Sequence, residues 1–275
     1  MSRYIAAAVQ LDTREDWAAN LASAKELIRE AASRGAKIVA LPENWTYQGH
    51  DYLDYAEDMP GGRVCGELFC LAKELGIWIH SGSFSQKSAE DKRPSNTTML
   101  IDPQGKIVAK YDKMHVFDVD VEDAGSFRES DSKKPGDEMV VADTELGRLG
   151  LSICYDVRFP ELYRLMALAG AEVFFVPASF LLRTGKDHWE PLLKARAIEN
   201  SCYVIAPCQC GVKYDGPTYG RSLIIDPWGT SIAAASERPC VITAEIDLDF
   251  RKKVARQLLT LENIRRDVYT LSLNE

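Results

Sequence analysis

Ile101-Asp102-Pro103-Gln104-Gly105-Lys106-Ile107 is echoed by Ile225-Asp226-Pro227-Trp228-Gly229-Thr230-Ser231-Ile232, with one extra residue before the final isoleucine. Asp, Pro and Gly in this order favour a tight turn. Asp bonds back to nearby backbone N–H groups, Pro fixes φ, and Gly accepts positive φ. Each copy therefore reads as a hairpin, with strands Thr97–Ile101 and Lys106–Lys110 around the first and Arg221–Ile225 and Ser231–Ala235 around the second. A good turn can recur by chance, but each copy follows similar strand and helix segments. Two similar halves imply two sheets packed face to face with helices outside: a four-layer α-β-β-α sandwich.

Outward from the hairpins, strand and helix alternate. Tyr4–Gln10 is a short apolar run, and Arg14–Ser33 carries Trp17, Leu21, Ala24, Leu27 and Ile28 at helical spacing before Gly35, a cap residue. Ile38–Leu41 is fully apolar, as in a buried parallel sheet. Gly66–Leu75 reads as a helix and Ile77–Gly82 as a strand. Lys113–Gly136 is long, polar and aperiodic, and such loops are usually functional. The second half repeats the scheme with strands Glu138–Asp143 and Leu149–Ile153, helix Phe159–Ala169, strand Glu172–Val176, helix Asp187–Asn200, and strands Tyr203–Pro207 and Val241–Asp247. The 275 residues are expected to form a single domain, 1–275, of two pseudo-repeated α/β halves.

Lys and Arg number 33 against 41 Asp and Glu, a net charge near -8. Nucleic acid and anionic membranes both call for a basic face, so neither is expected as a partner. The longest apolar stretch, Val173 to Leu182, is ten residues, short of the roughly 18–20 that span a bilayer. The start, Met1-Ser2-Arg3-Tyr4 before Ile5–Val9, is too short for a signal core. Seven cysteines without a regular framework read as reduced thiols in a cytoplasmic protein. Cys208-Gln209-Cys210 is the nearest approach to a metal motif, and no second ligand pair follows it; no cofactor is expected.

Cys154 falls between the strand Leu149–Ile153 and a helix opened by Pro160 and Glu161, where a helix dipole or cation lowers a thiol pKa from about 8.5. On position alone a buried structural cysteine is as good a reading. The four histidines, His50, His80, His115 and His188, read as structural. A carboxylate is the alternative base. Glu43 follows the buried strand Ile38–Leu41, and Lys113 sits just past Lys106–Lys110, so a Glu, a Lys and a Cys all lie beyond strand ends, where ligand sites of α/β sheets cluster. A plain ion pair between Glu43 and Lys113 remains open at this point.

Leu41-Pro42-Glu43, Tyr111-Asp112-Lys113-Met114-His115-Val116-Phe117-Asp118 and Ile153-Cys154-Tyr155-Asp156-Val157-Arg158-Phe159-Pro160-Glu161 resemble the three signature segments of the nitrilase, or carbon–nitrogen hydrolase, superfamily. His188-Trp189-Glu190, Leu193–Asn200 and Asp226-Pro227-Trp228-Gly229 add to the resemblance, which is strongest to the Nit branch of ω-amidases and deaminated-glutathione amidases. The resemblance implies Glu43 as general base, Lys113 as oxyanion stabiliser, Cys154 as nucleophile and Glu129 as a second glutamate that positions substrate and assists proton transfer. The Tyr155 N–H would share the oxyanion. It implies an amidase releasing ammonia from a small carboxylated amide through a thioester, deaminated glutathione first and α-ketoglutaramate next. A nitrilase, an N-carbamoyl amino acid hydrolase and a non-enzymatic scaffold are the alternatives. The partners implied are the amide and water, with a homodimer or higher oligomer. Arg158, Arg183 and Lys186, the last two placed in a loop after Glu172–Val176, are the expected carboxylate binders, and Tyr47 a further substrate contact. Glu43→Gln and Lys113→Ala are expected to cut kcat with little change in Tm.

Overall fold

The computed structural model describes residues 1–121 and 125–274. In chain order the strands and helices are β1 Arg3–Gln10, α1 Trp17–Ser33, β2 Ala36–Ala40, α2 Arg63–Leu75, β3 Trp78–His80, β4 Phe84–Gln86, β5 Ser95–Ile101, β6 Ile107–Asp112, β7 Asp118–Val121 and β8 Gly125–Arg128. The second half follows with β9 Val140–Thr144, β10 Gly147–Leu151, α3 Pro160–Leu168, β11 Val173–Phe175, α4 Leu182–Asn200, β12 Tyr203–Ala206, β13 Val212–Lys213, β14 Gly216–Pro217, β15 Leu223–Ile225, β16 Ser231–Ala234, β17 Cys240–Asp247 and α5 Leu248–Leu258.

Two large sheets carry the fold. One runs β17-β1-β2-β3-β5-β4 with β6 also on β5; the other runs β16-β15-β12-β11-β10-β9. Their wiring is the same. β1, β2 and β3 are parallel, as are β10, β11 and β12. An antiparallel strand and its hairpin partner, β5–β6 or β15–β16, complete one side. An antiparallel strand, β17 or β9, closes the other. Helices α1 and α2 fill the crossovers of the first half, α3 and α4 those of the second.

The strand pattern sets the layers, because alternate side chains point to opposite faces. In β1, Tyr4, Ala6 and Ala8 join the core shared with the second sheet and its helices, whereas Ala7 and Val9 pack under α1 and α2. The same division places Ile38 and Ala40 between the sheets and Val39 and Leu41 under the helices. Helix α1 presents Ala24, Ile28 and Ala31 to its sheet, and α4 presents Trp189, Leu193 and Ala197 to the other. The result is the expected α-β-β-α sandwich.

The two echoed turns are superimposable in their bonding. Asp102 Oδ1 accepts from the Gln104 and Lys106 N–H groups at 2.9 and 2.8 Å. Asp226 Oδ1 accepts from Trp228 and Thr230, both at 2.9 Å. Ile101 pairs with Ile107 and Ile225 with Ser231, so the extra residue lies beyond the turn.

Four expectations are corrected. Helix α4 begins at Leu182 and not Asp187, which puts Arg183 and Lys186 on its first turns and not in a loop. The segment from Lys113 to Gly136 is not structureless: β7 and β8 pair as a hairpin, and Glu129–Asp131 forms a single 3-10 turn. Residues 122–124 of that segment lie outside the described residues. Helix α5, capped by Asp247 accepting from the N–H groups of Asp249 and Phe250, has no counterpart in the sequence reading. Helices α1 and α2 start at Trp17 and Arg63, displaced from the expected Arg14 and Gly66.

Candidate active site

The ends of strands from both halves meet at one point. The chain after β2 carries Glu43, the residue after β6 is Lys113, and two extended residues carry the chain from β10 to Cys154. Cys154 opens a single 3-10 turn, Cys154–Arg158, with φ at 49°. A non-glycine residue with positive φ costs of order 1–3 kcal/mol and persists only where its surroundings fix it. Here they do. The Cys154 N–H donates to the Pro177 carbonyl at 2.9 Å, in the chain after β11. Asp156, fully buried, accepts at Oδ2 from the Tyr111 hydroxyl at 2.7 Å and the Ile153 N–H at 2.8 Å, and at Oδ1 from the His115 N–H at 3.0 Å. The carboxylate thereby ties β6 and the Lys113 segment to the turn that presents the thiol.

Lys113 is the hub. Its Nζ donates to Glu43 Oε1 at 3.0 Å and Glu129 Oε2 at 2.8 Å, with all three side chains under a tenth exposed. Glu129 Oε2 also accepts from the Phe117 N–H at 2.6 Å. Asn96 on β5 bridges the carboxylates, its Nδ2 donating to Glu43 Oε1 at 2.9 Å and Glu129 Oε1 at 3.5 Å. Glu43 Oε2 accepts from the Ser179 N–H at 2.8 Å, and its backbone carbonyl accepts from Gln209 Nε2 at 3.0 Å. Cys154 lines the same cavity as Glu43 and Lys113, and the Glu43 carboxylate acts on its thiol.

The electrostatics follow from burial and sign. Burial pulls Lys113 down, but Glu129, Glu43 and Cys154 together outweigh it and hold the ammonium well above its ordinary pKa. Burial works to raise Glu129, and Lys113 outweighs that and lowers it. Cys154 is pushed well above an ordinary thiol, first by burial and then by the Glu43 carboxylate, with Lys113 opposing. The strand–helix position was expected to lower this pKa; desolvation and the glutamate reverse the sign. A thiol held protonated beside a carboxylate reacts as a nucleophile only as its proton leaves, and Glu43 is within reach to take it.

Two cavities meet at Cys154. The larger, about 220 Å³, is lined by Glu43, Lys113, Glu129, Gln48, Tyr214 and Asp215 among others. The smaller, about 30 Å³, lies against Tyr155, Arg158, Phe180 and Thr184. Arg158 lies over the rings of Tyr155 and Phe180, 5.8 and 5.2 Å from their centroids, and Nη1 is 3.3 Å from His188 Nδ1. It does not pair with Asp156, whose oxygens are taken. Neither Arg183 nor Lys186 lines either cavity; both are exposed on α4. Tyr47 is stacked on Tyr55 at 4.0 Å and lines neither cavity, whereas its neighbours Asn44 and Gln48 do. A groove of about 730 Å³ between Trp17 and Arg63 is larger, but acidic and without thiol or lysine. Among the described residues no group of three or more His, Cys, Asp or Glu is placed to hold a metal ion.

Sequence reasoning missed Asn96, Asp156, Ser179 and Lys133, the last a lysine only 6% exposed near both glutamates. Polar residues at a strand start or in a charge run carry no signal of burial. Asp156 stood inside a quoted motif.

Residues 5–256 match the carbon-nitrogen hydrolase family, and the chain belongs to it. Among its relatives, a Synechocystis sp. protein named deaminated glutathione amidase is 44% identical over 269 residues, covering 96% of this chain and 98% of the relative. A human protein of the same name is 37% identical over 272 residues, covering 96% and 83%. The crystal structure of the C. elegans NitFhit protein matches with a TM-score of 0.94 and 38% identity, over all of this chain and 68% of that one.

Proposed function

We propose that the protein is a cysteine-dependent amidase that hydrolyses a small carboxylate-bearing amide through a thioester, with deaminated glutathione the first substrate to test and α-ketoglutaramate the second. The single observation that carries this reading is Lys113 joined to Glu43 at 3.0 Å and Glu129 at 2.8 Å in the cavity that Cys154 also lines. The names of the Synechocystis and human relatives point to the substrate.

In this mechanism Glu43 takes the thiol proton as Sγ attacks the amide carbon. Lys113 and the Tyr155 N–H hold the oxyanion, a donor worth roughly 10²–10³ in rate. Glu43 returns the proton to the departing nitrogen. A primary amide such as α-ketoglutaramate loses ammonia; deaminated glutathione is a secondary amide and loses cysteinylglycine, which corrects the ammonia expected for it from the sequence. Water, with Glu43 again as base, then opens the thioester. Glu129 holds Lys113 and the substrate in register. The donor set supports chemistry that runs without a metal, since both carboxylates are already bonded to an ammonium.

Arg158 is the carboxylate binder we place first, because it lines the cavity beside Cys154. Arg183 and Lys186 stand behind it. Arg158→Ala should lower kcat/KM for the acid by roughly 10–150-fold while sparing its neutral ester. Equal use of acid and ester by the wild type would end carboxylate recognition.

We further propose one domain over residues 1–275, supported by a core that joins both halves. A cytoplasmic setting fits the seven unpaired cysteines, and among the described residues no helix is long and apolar enough to cross a membrane. A homodimer fits the exposed Val268, Tyr269 and Leu273, and light scattering tests it. The deciding assay follows cysteinylglycine from deaminated glutathione and ammonia from α-ketoglutaramate, a nitrile and an N-carbamoyl amino acid. Turnover of the nitrile or the N-carbamoyl amino acid alone, or of nothing, defeats the amidase reading.

A further inference from the structure

Lys133 is buried just after the turn that carries Glu129 and takes no part in the steps above. Its side chain makes no ion pair among the described residues. Its Nζ donates to the Ser85 hydroxyl on β4 and lies 4.6 Å from the centre of the Tyr52 ring. Its own N–H donates to the Glu129 carbonyl at 2.8 Å, which fixes the lysine to the turn that carries Glu129. The charged groups that act on it are Glu129 and Glu43, which favour its ammonium, and Lys113, which opposes it. A buried cation is costly unless something offsets the lost hydration. A hydroxyl and a ring face are weak compensation. Two buried carboxylates with only one other cation between them are stronger compensation. Without Lys133 the cluster of Glu43, Glu129 and Lys113 holds one unbalanced negative charge; with it the cluster is neutral.

We propose that Lys133 is the second cation of the active site, a positioning residue that balances the Glu43 and Glu129 carboxylates and keeps Glu129 ionised on Lys113. The assignment deepens the amidase reading and rests on it for the roles of those three groups. Its reach is electrostatic. The attack places new negative charge on Sγ and then on the substrate oxygen, beside two glutamates. A second ammonium lowers the energy of both. Burial, outweighing the glutamates, brings Lys133 down to about 8, whereas Lys113 and Cys154 stand well above their ordinary values. Lys133 is therefore the member of this cluster that sheds its charge as pH passes about 8.

The test is the rate at which iodoacetamide alkylates Cys154, followed by mass spectrometry in wild type, Lys133→Met and Lys133→Arg from pH 7 to pH 9.5. It needs no substrate, so it decides Lys133 even if every amide assay fails. At pH 7 Lys133→Met should label about tenfold more slowly than wild type, the effect of roughly one pKa unit on the thiol, and Lys133→Arg at the wild-type rate. Labelling of every variant speeds up with pH as thiolate forms, but above pH 9 the wild-type advantage over Lys133→Met should vanish while Lys133→Arg stays ahead of both. The same ordering in kcat/KM extends the result to turnover. Wild-type labelling by a folded Lys133→Met at pH 7 overturns the proposal. Should Lys133→Met not fold, a Lys133→Arg protein that tracks the wild type through pH 9.5 overturns it as well.

Discussion

Cys154 combines positive φ, burial and a protonated thiol, and substitutions there separate chemistry from folding. Cys154→Ala leaves backbone and neighbours in place and removes one sulfur, a loss of about 1 kcal/mol. Turnover should vanish while Tm moves by a few degrees; substantial turnover in this variant removes the thioester. The partners behave differently, and the expectation of unchanged Tm does not hold for them. Lys113→Ala strands Glu43 and Glu129 at 4% and 9% side-chain exposure, and should cost about 3–5 kcal/mol. Its inactivity would say little about mechanism. Glu43→Gln is the cleaner probe. Both Glu43 oxygens accept hydrogen bonds, and a glutamine supplies one acceptor, so about 1–3 kcal/mol is lost and the fold survives. A folded Glu43→Gln enzyme with kcat near wild type would make the ion pair structural. That Glu43, Lys113 and Cys154 lie beyond strand ends was legible from the pattern; that they act together came from the resemblance of their three segments to the family signatures, since position alone left a structural cysteine as good a reading. The burial of Glu129 was not legible, since it depends on the β7–β8 hairpin folding back. Nor was that of Lys133, which reads as part of a solvated Ser132-Lys133-Lys134 run.

At the scale of elements, the two Asp-Pro-Xaa-Gly turns make the duplication testable. Gly105 and Gly229 both have positive φ, 72° and 89°, so a side chain costs about 1–2 kcal/mol at either. Their surroundings differ. A Cβ on Gly105 would lie 2.7 Å from the Phe69 backbone oxygen, which cannot rotate away. A Cβ on Gly229 would lie 2.6 Å from the end of the Ile198 side chain, which can. Urea unfolding should therefore show Gly105→Ala losing more than Gly229→Ala; the reverse order would contradict this account of the turns. Strands were legible wherever they run apolar through both faces, as in β1, β2 and β11. Helix α4 was cut short because its first turns, Leu182-Arg183-Thr184-Gly185-Lys186, carry no apolar stripe and include a glycine. In α5 the signals were present, with Asp247 as cap and Phe250, Val254 and Leu258 four apart; the polar residues between them hid the stripe.

At the scale of the whole molecule, the contact between the two sheets should make stability fall in acid. His80 on β3, fully buried, stacks on Phe175 of β11 at 4.7 Å, so one ring joins both sheets. Its Nδ1 accepts from the Gly82 N–H at 3.3 Å, which leaves the proton on Nε2 to reach Thr98 Oγ1 at 3.2 Å. Both nitrogens are used by the neutral ring, and burial brings its pKa from 6.5 down to about 3. The sign follows from linkage. Below pH 6.5 the unfolded chain binds a proton that the folded chain refuses, so stability declines by about 1.4 kcal/mol per pH unit until pH approaches 3. At pH 5 that is about 2 kcal/mol, a large part of a typical folding free energy of about 5–15 kcal/mol. His80→Gln keeps a polar side chain that cannot be protonated in this range. It should lower stability at pH 7 through lost stacking, yet show a slope between pH 6.5 and 4 that is shallower by about 1.4 kcal/mol per unit. Urea midpoints for the two proteins across that interval measure the difference. Parallel slopes would assign the acid sensitivity to other groups and leave His80 as a packing residue between the sheets.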